Sequence, residues 1–133
     1  MPLTPDDRTA ITDLINLHGH LTDSGDFDAL HEVFVPDVVY DVGDLGGGVI
    51  VGLAALRDAA LALGEANPVA HHVTNIVVTD VAGGRARAVS KGIGVNVDGT
   101  TGSVTYEDAL VCGDQGWRIS HRVVRARRIP LTR

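Results

Sequence analysis

From Val69 to Ile129 the chain is a succession of strand-like runs. Val69–Val81, Arg85–Val97, Ser103–Val111 and Trp117–Ile129 are rich in β-branched and apolar residues. Only Ala82-Gly83-Gly84, Asp98-Gly99-Thr100-Thr101-Gly102 and Gly113-Asp114-Gln115-Gly116 separate them. Breaks this short and glycine-rich are hairpin-type connections, which join antiparallel neighbours. The second half of the chain is therefore a run of antiparallel strands.

The first half is helical in texture. Thr4 can cap a helix, Pro5 suits its first position, and Asp6 and Asp7 complement its dipole. Ile11, Leu14, Ile15, Leu17, His18 and Leu21 then recur at helical spacing, up to about Asp23 and a stop at Ser24-Gly25. Asp26 caps a short second helix with Phe27, Leu30, Val33 and Phe34 as its apolar stripe, ended by Pro36-Asp37. Val38–Val42 and Val49–Val51 read as strands around a Gly46-Gly47-Gly48 turn, and Leu53–Leu63 as a third helix closed by Gly64. Three helices before a run of strands predict an α+β fold, with helices on one face of a curved sheet. With 133 residues, 44% of them hydrophobic, and no repeat or linker, residues 1–133 are expected to form one domain.

Charge narrows the partners. The net charge of −6 argues against a general nucleic-acid binder, although Arg118, Arg122, Arg125, Arg127 and Arg128 make the C-terminal part locally basic. No apolar run approaches the roughly 20 residues of a membrane helix. MPLTPDDR lacks the features of a signal peptide, so a cytoplasmic location is expected. The lone Cys112 offers neither a disulfide nor a metal spacing.

Several residues could carry chemistry. In VAHHVTN (Val69–Asn75), strand alternation puts His71 with Val69, Val73, Asn75 and Val77, and His72 with Ala70, Thr74, Ile76 and Val78. Both sets are apolar enough to be buried, and two diverging imidazoles do not chelate a metal. His18 lies on the apolar stripe of the first helix; His20 lies off it. Val38, Tyr40 and Val42 form the better core face of the first strand, which turns Asp41 outward. Asp108 shares a face with Val104, Tyr106, Leu110 and Cys112, where it is either a buried acid or an edge group. In the last strand Trp117, Ile119, His121 and Val123 share a face, making His121 a candidate inward imidazole and placing Arg118 and Arg122 on a solvated face. No phosphate loop, nucleophile elbow or dinucleotide fingerprint is present.

Taken in order, LTDSGDFDAL (Leu21–Leu30), FVPDVVYD (Phe34–Asp41), VAHHVTN and GWRISHRVVRARR (Gly116–Arg128) resemble the SnoaL-like family of the nuclear transport factor two superfamily. The resemblance covers nearly the whole chain. It implies a cone-shaped α+β barrel in which a strongly curved, mostly antiparallel sheet wraps a pocket that three helices close. Within the superfamily the chain is similar to scytalone dehydratases, bile-acid 7α-dehydratases and hexachlorocyclohexane dehydrochlorinases. These share an Asp at the end of the first helix, which falls on Asp23, and a His at the head of the long strand, which falls on His71. Their polar pocket position five residues before the Asp falls on His18, and an aromatic one on Tyr40. The tyrosine pair and second histidine of the scytalone dehydratases have no counterpart here.

The resemblance thus implies an Asp23–His71 dyad acting as general base, without cofactor or metal, on a small and mostly apolar substrate. Dehydration or a related elimination is favoured, with isomerisation and cyclisation beside it. His18, Tyr40 and His121 are the candidate donors to developing charge, and Val38, Val42, Leu56, Val73, Leu110, Trp117 and Ile119 the candidate walls. A homodimer or homotrimer is expected, with neither nucleic acid nor membrane as partner. The competing reading is a non-catalytic binding or assembly module in which Asp23 and His71 are a structural pair.

Overall fold

The computed structural model describes residues 2–131. Helix α1 spans Pro5–Ser24. The Thr4 hydroxyl accepts from the Asp7 N–H at 3.1 Å while an Asp7 carboxylate oxygen accepts from the Thr4 N–H at 2.9 Å, a reciprocal cap. The far end stops at Gly25, whose left-handed φ of 72° lets its N–H reach the Leu21 and Thr22 carbonyls. That stop leaves Asp23 in the last turn.

A 3₁₀ helix (Phe27–Glu32) leads into β1 (Phe34–Val42), β2 (Gly48–Val51) and α2 (Leu53–Leu63). The meander follows as β3 (Ala70–Asp80), β4 (Arg85–Val95), β5 (Thr101–Gly113) and β6 (Gly116–Ala126). The six strands form one sheet in the order β2-β1-β6-β5-β4-β3. All pairs are antiparallel except β1 with β6. The fold is α+β, with α1 packed across β3 and β6.

Three irregularities depart from the sequence-based expectation. β1 begins at Phe34 rather than Val38, and so takes in Pro36 where its register with β6 shifts. A proline costs nothing where the ladder is already broken. In β3 the register shifts between Thr74 and Val77, and Asn75 takes a positive φ of 57°. The inward set thus changes from His71 and Val73 to Ile76 and Val78. In β6, Ile119 pairs with Leu110 and His121 with Ala109, leaving Ser120 as an extra, unpaired residue. Alternation inverts beyond it. Arg122 and Val124 point inward, while His121 is exposed.

The solid core lies towards one end. Ile11, Leu14 and Ile15 of α1 pack with Phe34, Val38, Leu110 and Ile119, all buried. Burying each such side chain contributes about 1.5–3 kcal/mol, enough to leave the other end hollow. Trp117 belongs to this closed end, where its indole N–H donates to Asp7 at 3.1 Å. The inner face of β4 carries Ala86, Ala88, Ser90 and Gly92. A Cβ on Gly92 would fall 2.5 Å from the Tyr106 ring, so the missing side chain makes room for that ring.

Candidate active site

The hollow end encloses a cavity of about 1180 Å³. His18 and Thr22 reach it from α1, Tyr40 and Val42 from β1, His71 from β3, Tyr106 from β5 and Val124 from β6. Leu30, Leu56 and Leu63 form apolar wall on the helical side.

His71 stands on that wall against Asp23. Its ring Nδ1 lies 2.6 Å from one carboxylate oxygen, and its own backbone N–H donates to the other at 3.0 Å. Both Asp23 oxygens are thus committed to one residue. The carboxylate accepts from Nδ1, so the lone pair of a neutral ring sits on Nε2. The approach of α1 to β3 depends on Gly19, where a Cβ would sit 3.0 Å from the His71 carbonyl. His71 and Asp23 keep side-chain exposures of 18% and 28%, so the pair is open to a ligand.

A second polar group closes the floor. Arg122 is completely buried and forks onto Asp108, Nε to Oδ1 at 2.6 Å and Nη2 to Oδ2 at 2.8 Å. Its remaining Nη1 donates to Nδ1 of His18 at 3.1 Å. The guanidinium lies 4.2 Å from the centroid of the Tyr106 ring, within cation–π range. Burial works against its charge, but Asp108 outweighs this and holds the Arg122 pKa above its usual value. His18 is pushed the other way. Burial first, then the Arg122 charge and His71, keep it well below the usual histidine range and therefore neutral. Burial raises the Tyr40 hydroxyl, only partly offset by Arg122 beside it, and pushes the Tyr106 hydroxyl up to about 12. The floor thus presents neutral donors backed by a compensated ion pair. Among the described residues no cluster of three or more His, Cys, Asp or Glu side chains could hold a metal.

The model of the SnoaL-like domain matches residues 4–123. The chain belongs to the SnoaL-like domain family. Solved structures agree. A candidate aromatic ring hydroxylase from Novosphingobium aromaticivorans is 30% identical, covers 98% of this chain and 94% of its own, and superposes with a TM-score of 0.80. An NTF2-like protein with a cystatin-like fold from the same species is 33% identical over 91% of this chain and 82% of its own, with a TM-score of 0.75. A candidate scytalone dehydratase, also from that species, is 20% identical over 94% and 89% at a TM-score of 0.74, a likeness of fold alone. No curated protein matches the chain.

The SnoaL-like domain places its sequence-derived candidates unevenly. Asp23 and His71 meet, and His18, Tyr40, Val42 and Leu56 line the cavity with His71. Leu110, Trp117 and Ile119 are corrected from wall to core, and Val73, half-buried, packs against that core: all four lie on the inner face, but outside the cavity lining. Val38 is likewise fully buried core. His121 is corrected from inward donor to outer face by the Ser120 bulge, and the same bulge takes Arg122 out of solvent. His72 is exposed on the outer face. Sequence reasoning misses Arg122, Asp108 and Tyr106 as site residues. Asp108 on an apolar face is the one available signal, since a buried carboxylate needs a cationic partner.

No helix among the described residues is long and apolar enough to cross a membrane.

Proposed function

We propose that this SnoaL-like domain is a cofactor-independent lyase or isomerase, with His71 as general base on a mostly apolar small molecule. The observation that carries it is the 2.6 Å Asp23–His71 contact at the edge of the cavity, with the second Asp23 oxygen held by the His71 backbone. Nε2 takes a proton from a substrate carbon. The electron pair of the broken C–H bond either expels a leaving group from the next carbon or moves onto an adjacent carbonyl oxygen. Asp23 keeps the ring oriented and faces the positive charge that forms on it. A positioned base of this kind contributes about 10²–10⁴-fold. Nε2–H of His18 and the Tyr40 hydroxyl are the donors for the developing negative charge. Proton transfer and elimination need no redox or group-carrying cofactor. The fold shared with a candidate scytalone dehydratase supports the reading.

Deuterium exchange tests it whatever the product. A panel of polycyclic ketones and β-hydroxy ketones in D₂O is followed by proton NMR. Wild-type protein should exchange or eliminate at the carbon next to the carbonyl of at least one compound, and His71→Ala and Asp23→Asn should remove that activity while remaining folded. Exchange that persists at the wild-type rate in His71→Ala defeats the reading. Binding without exchange makes the domain a binding module.

A further inference from the structure

The charge that the cavity shows to a ligand is one-sided. Around its wall the side chains that keep a formal charge are Arg127 and Arg128, at the end of β6 beside the mouth; no Asp or Glu is among them. This is unusual for a chain whose net charge is −6. Of the carboxylates around the site, Asp23 is engaged by His71, Asp108 by Arg122 and Asp41 by the Gly43 N–H, while Asp44 adjoins the cavity lining at Leu45 from outside it. Elsewhere on the molecule Arg8 pairs with Asp80, Arg57 with Asp28 and Arg125 with Glu107. Arg127 and Arg128 have no carboxylate partner among the described residues. Their contacts are to backbone: Arg128 Nη2 donates to the Asp44 carbonyl at 3.1 Å, and the Arg127 N–H to the Ser103 carbonyl at 3.2 Å. These bonds tie the segment to both sides of the mouth. The hydroxyls of Thr101 and Ser103 line the same rim.

We infer that the substrate is an organic anion, an apolar body carrying one carboxylate, sulfonate or phosphate, whose charged end is held at the mouth by Arg127 and Arg128 while its apolar part reaches His71. This rests on the cavity being the substrate site proposed above. A guanidinium pair at an apolar mouth is suited to such a group, because charge-assisted bonds to an anion are roughly twice as strong as neutral ones. A field of one sign at a cavity mouth also raises the local concentration of the opposite charge.

Two probes of matched shape test it: 8-anilinonaphthalene-1-sulfonate and N-phenyl-1-naphthylamine, the same ring systems without the sulfonate. Fluorescence titration of the whole chain should show the sulfonate bound more tightly. Arg127→Gln/Arg128→Gln should weaken the sulfonate by about tenfold and leave the neutral probe within about twofold. Raising NaCl from about 20 to about 500 mM should weaken the sulfonate in wild type and much less in the double variant. Amide shifts at Thr101, Gly102 and Ser103 should move with the sulfonate. Equal affinities for the two probes, parallel losses for both in the double variant, or shifts confined to the outer face of the sheet would each overturn the inference. His72→Ala, exposed on the outer face of the sheet, should bind both probes as wild type does. An anion preference that survives without deuterium exchange sinks only the general-base reading, and exchange without an anion preference sinks only this one.

Discussion

Nη1 of Arg122 donates to Nδ1 of His18 across 3.1 Å, and this one bond selects the tautomer of His18. A guanidinium has donors only, so Nδ1 must accept and the ring proton must sit on Nε2. An imidazole with a cation at its back resists a second proton. It therefore stays a donor into the cavity under conditions where a free histidine would titrate.

The ring nitrogens of His18 should therefore report a neutral, Nε2-protonated imidazole from about pH 8 down to about pH 5. Nitrogen-15 NMR of histidine-labelled protein checks this. A His18 that titrates between those limits contradicts the tautomer argument.

A histidine held below its ordinary pKa also makes folding pH-dependent. As pH falls through about 6.5, the unfolded chain binds a proton at His18 that the folded chain refuses, so stability is lost on acidification. Urea midpoints should fall from about pH 7 to about pH 5, and fall less in His18→Gln. An equal fall in both proteins would show that His18 is not responsible.

Arg122→Met removes one half of a buried pair and strands the Asp108 carboxylate. The expected loss is about 3–5 kcal/mol by urea denaturation. The double variant Arg122→Met/Asp108→Leu should recover much of that, because no lone charge is left behind. A double variant no better than the single one would show that the forked geometry itself, rather than the stranded charge, sets the loss.

Gly92→Ala should cost about 1–3 kcal/mol, because its methyl would meet the Tyr106 ring at 2.5 Å. Since Tyr106 lies under the Arg122 guanidinium, the His18 signals should shift as well. Thermal melts and the same NMR spectra check both outcomes.

His72→Ala and His121→Ala act as opposite controls. Both side chains are exposed, so each change should stay within about 0.5 kcal/mol. Neither should alter deuterium exchange, whereas His71→Ala should abolish it.

What can be read from the chain follows from where its signals are local. Glycine-bearing breaks mark the meander because such turns need glycine, and the Thr4 and Gly25 ends of α1 mark themselves by capping chemistry. The pairing of Asp23 with His71, 48 residues apart, is not local at all; it is legible only through resemblance to a family. Alternation tells which face Val73, Leu110, Trp117 and Ile119 take, but a face says nothing of depth along the barrel, and they lie outside the cavity lining. Arg122 is hidden for another reason. In GWRISHRVV nothing distinguishes Ser120 from any other strand residue, so a count of two from Trp117 runs straight through the bulge. Asn75 does carry a trace, since asparagine tolerates positive φ better than most residues.

Ser120 sits at a seam in β6. On one side of it Ile119 belongs to the close-packed end; on the other, Arg122 and Val124 belong to the hollow end. An unpaired residue lets a strand bend there without disturbing the pairing of either half. The bulge thus divides β6 into a stabilising half and a ligand-facing half. A change at Val42 can therefore alter which molecules the cavity accepts while the stabilising block beneath stays as it is.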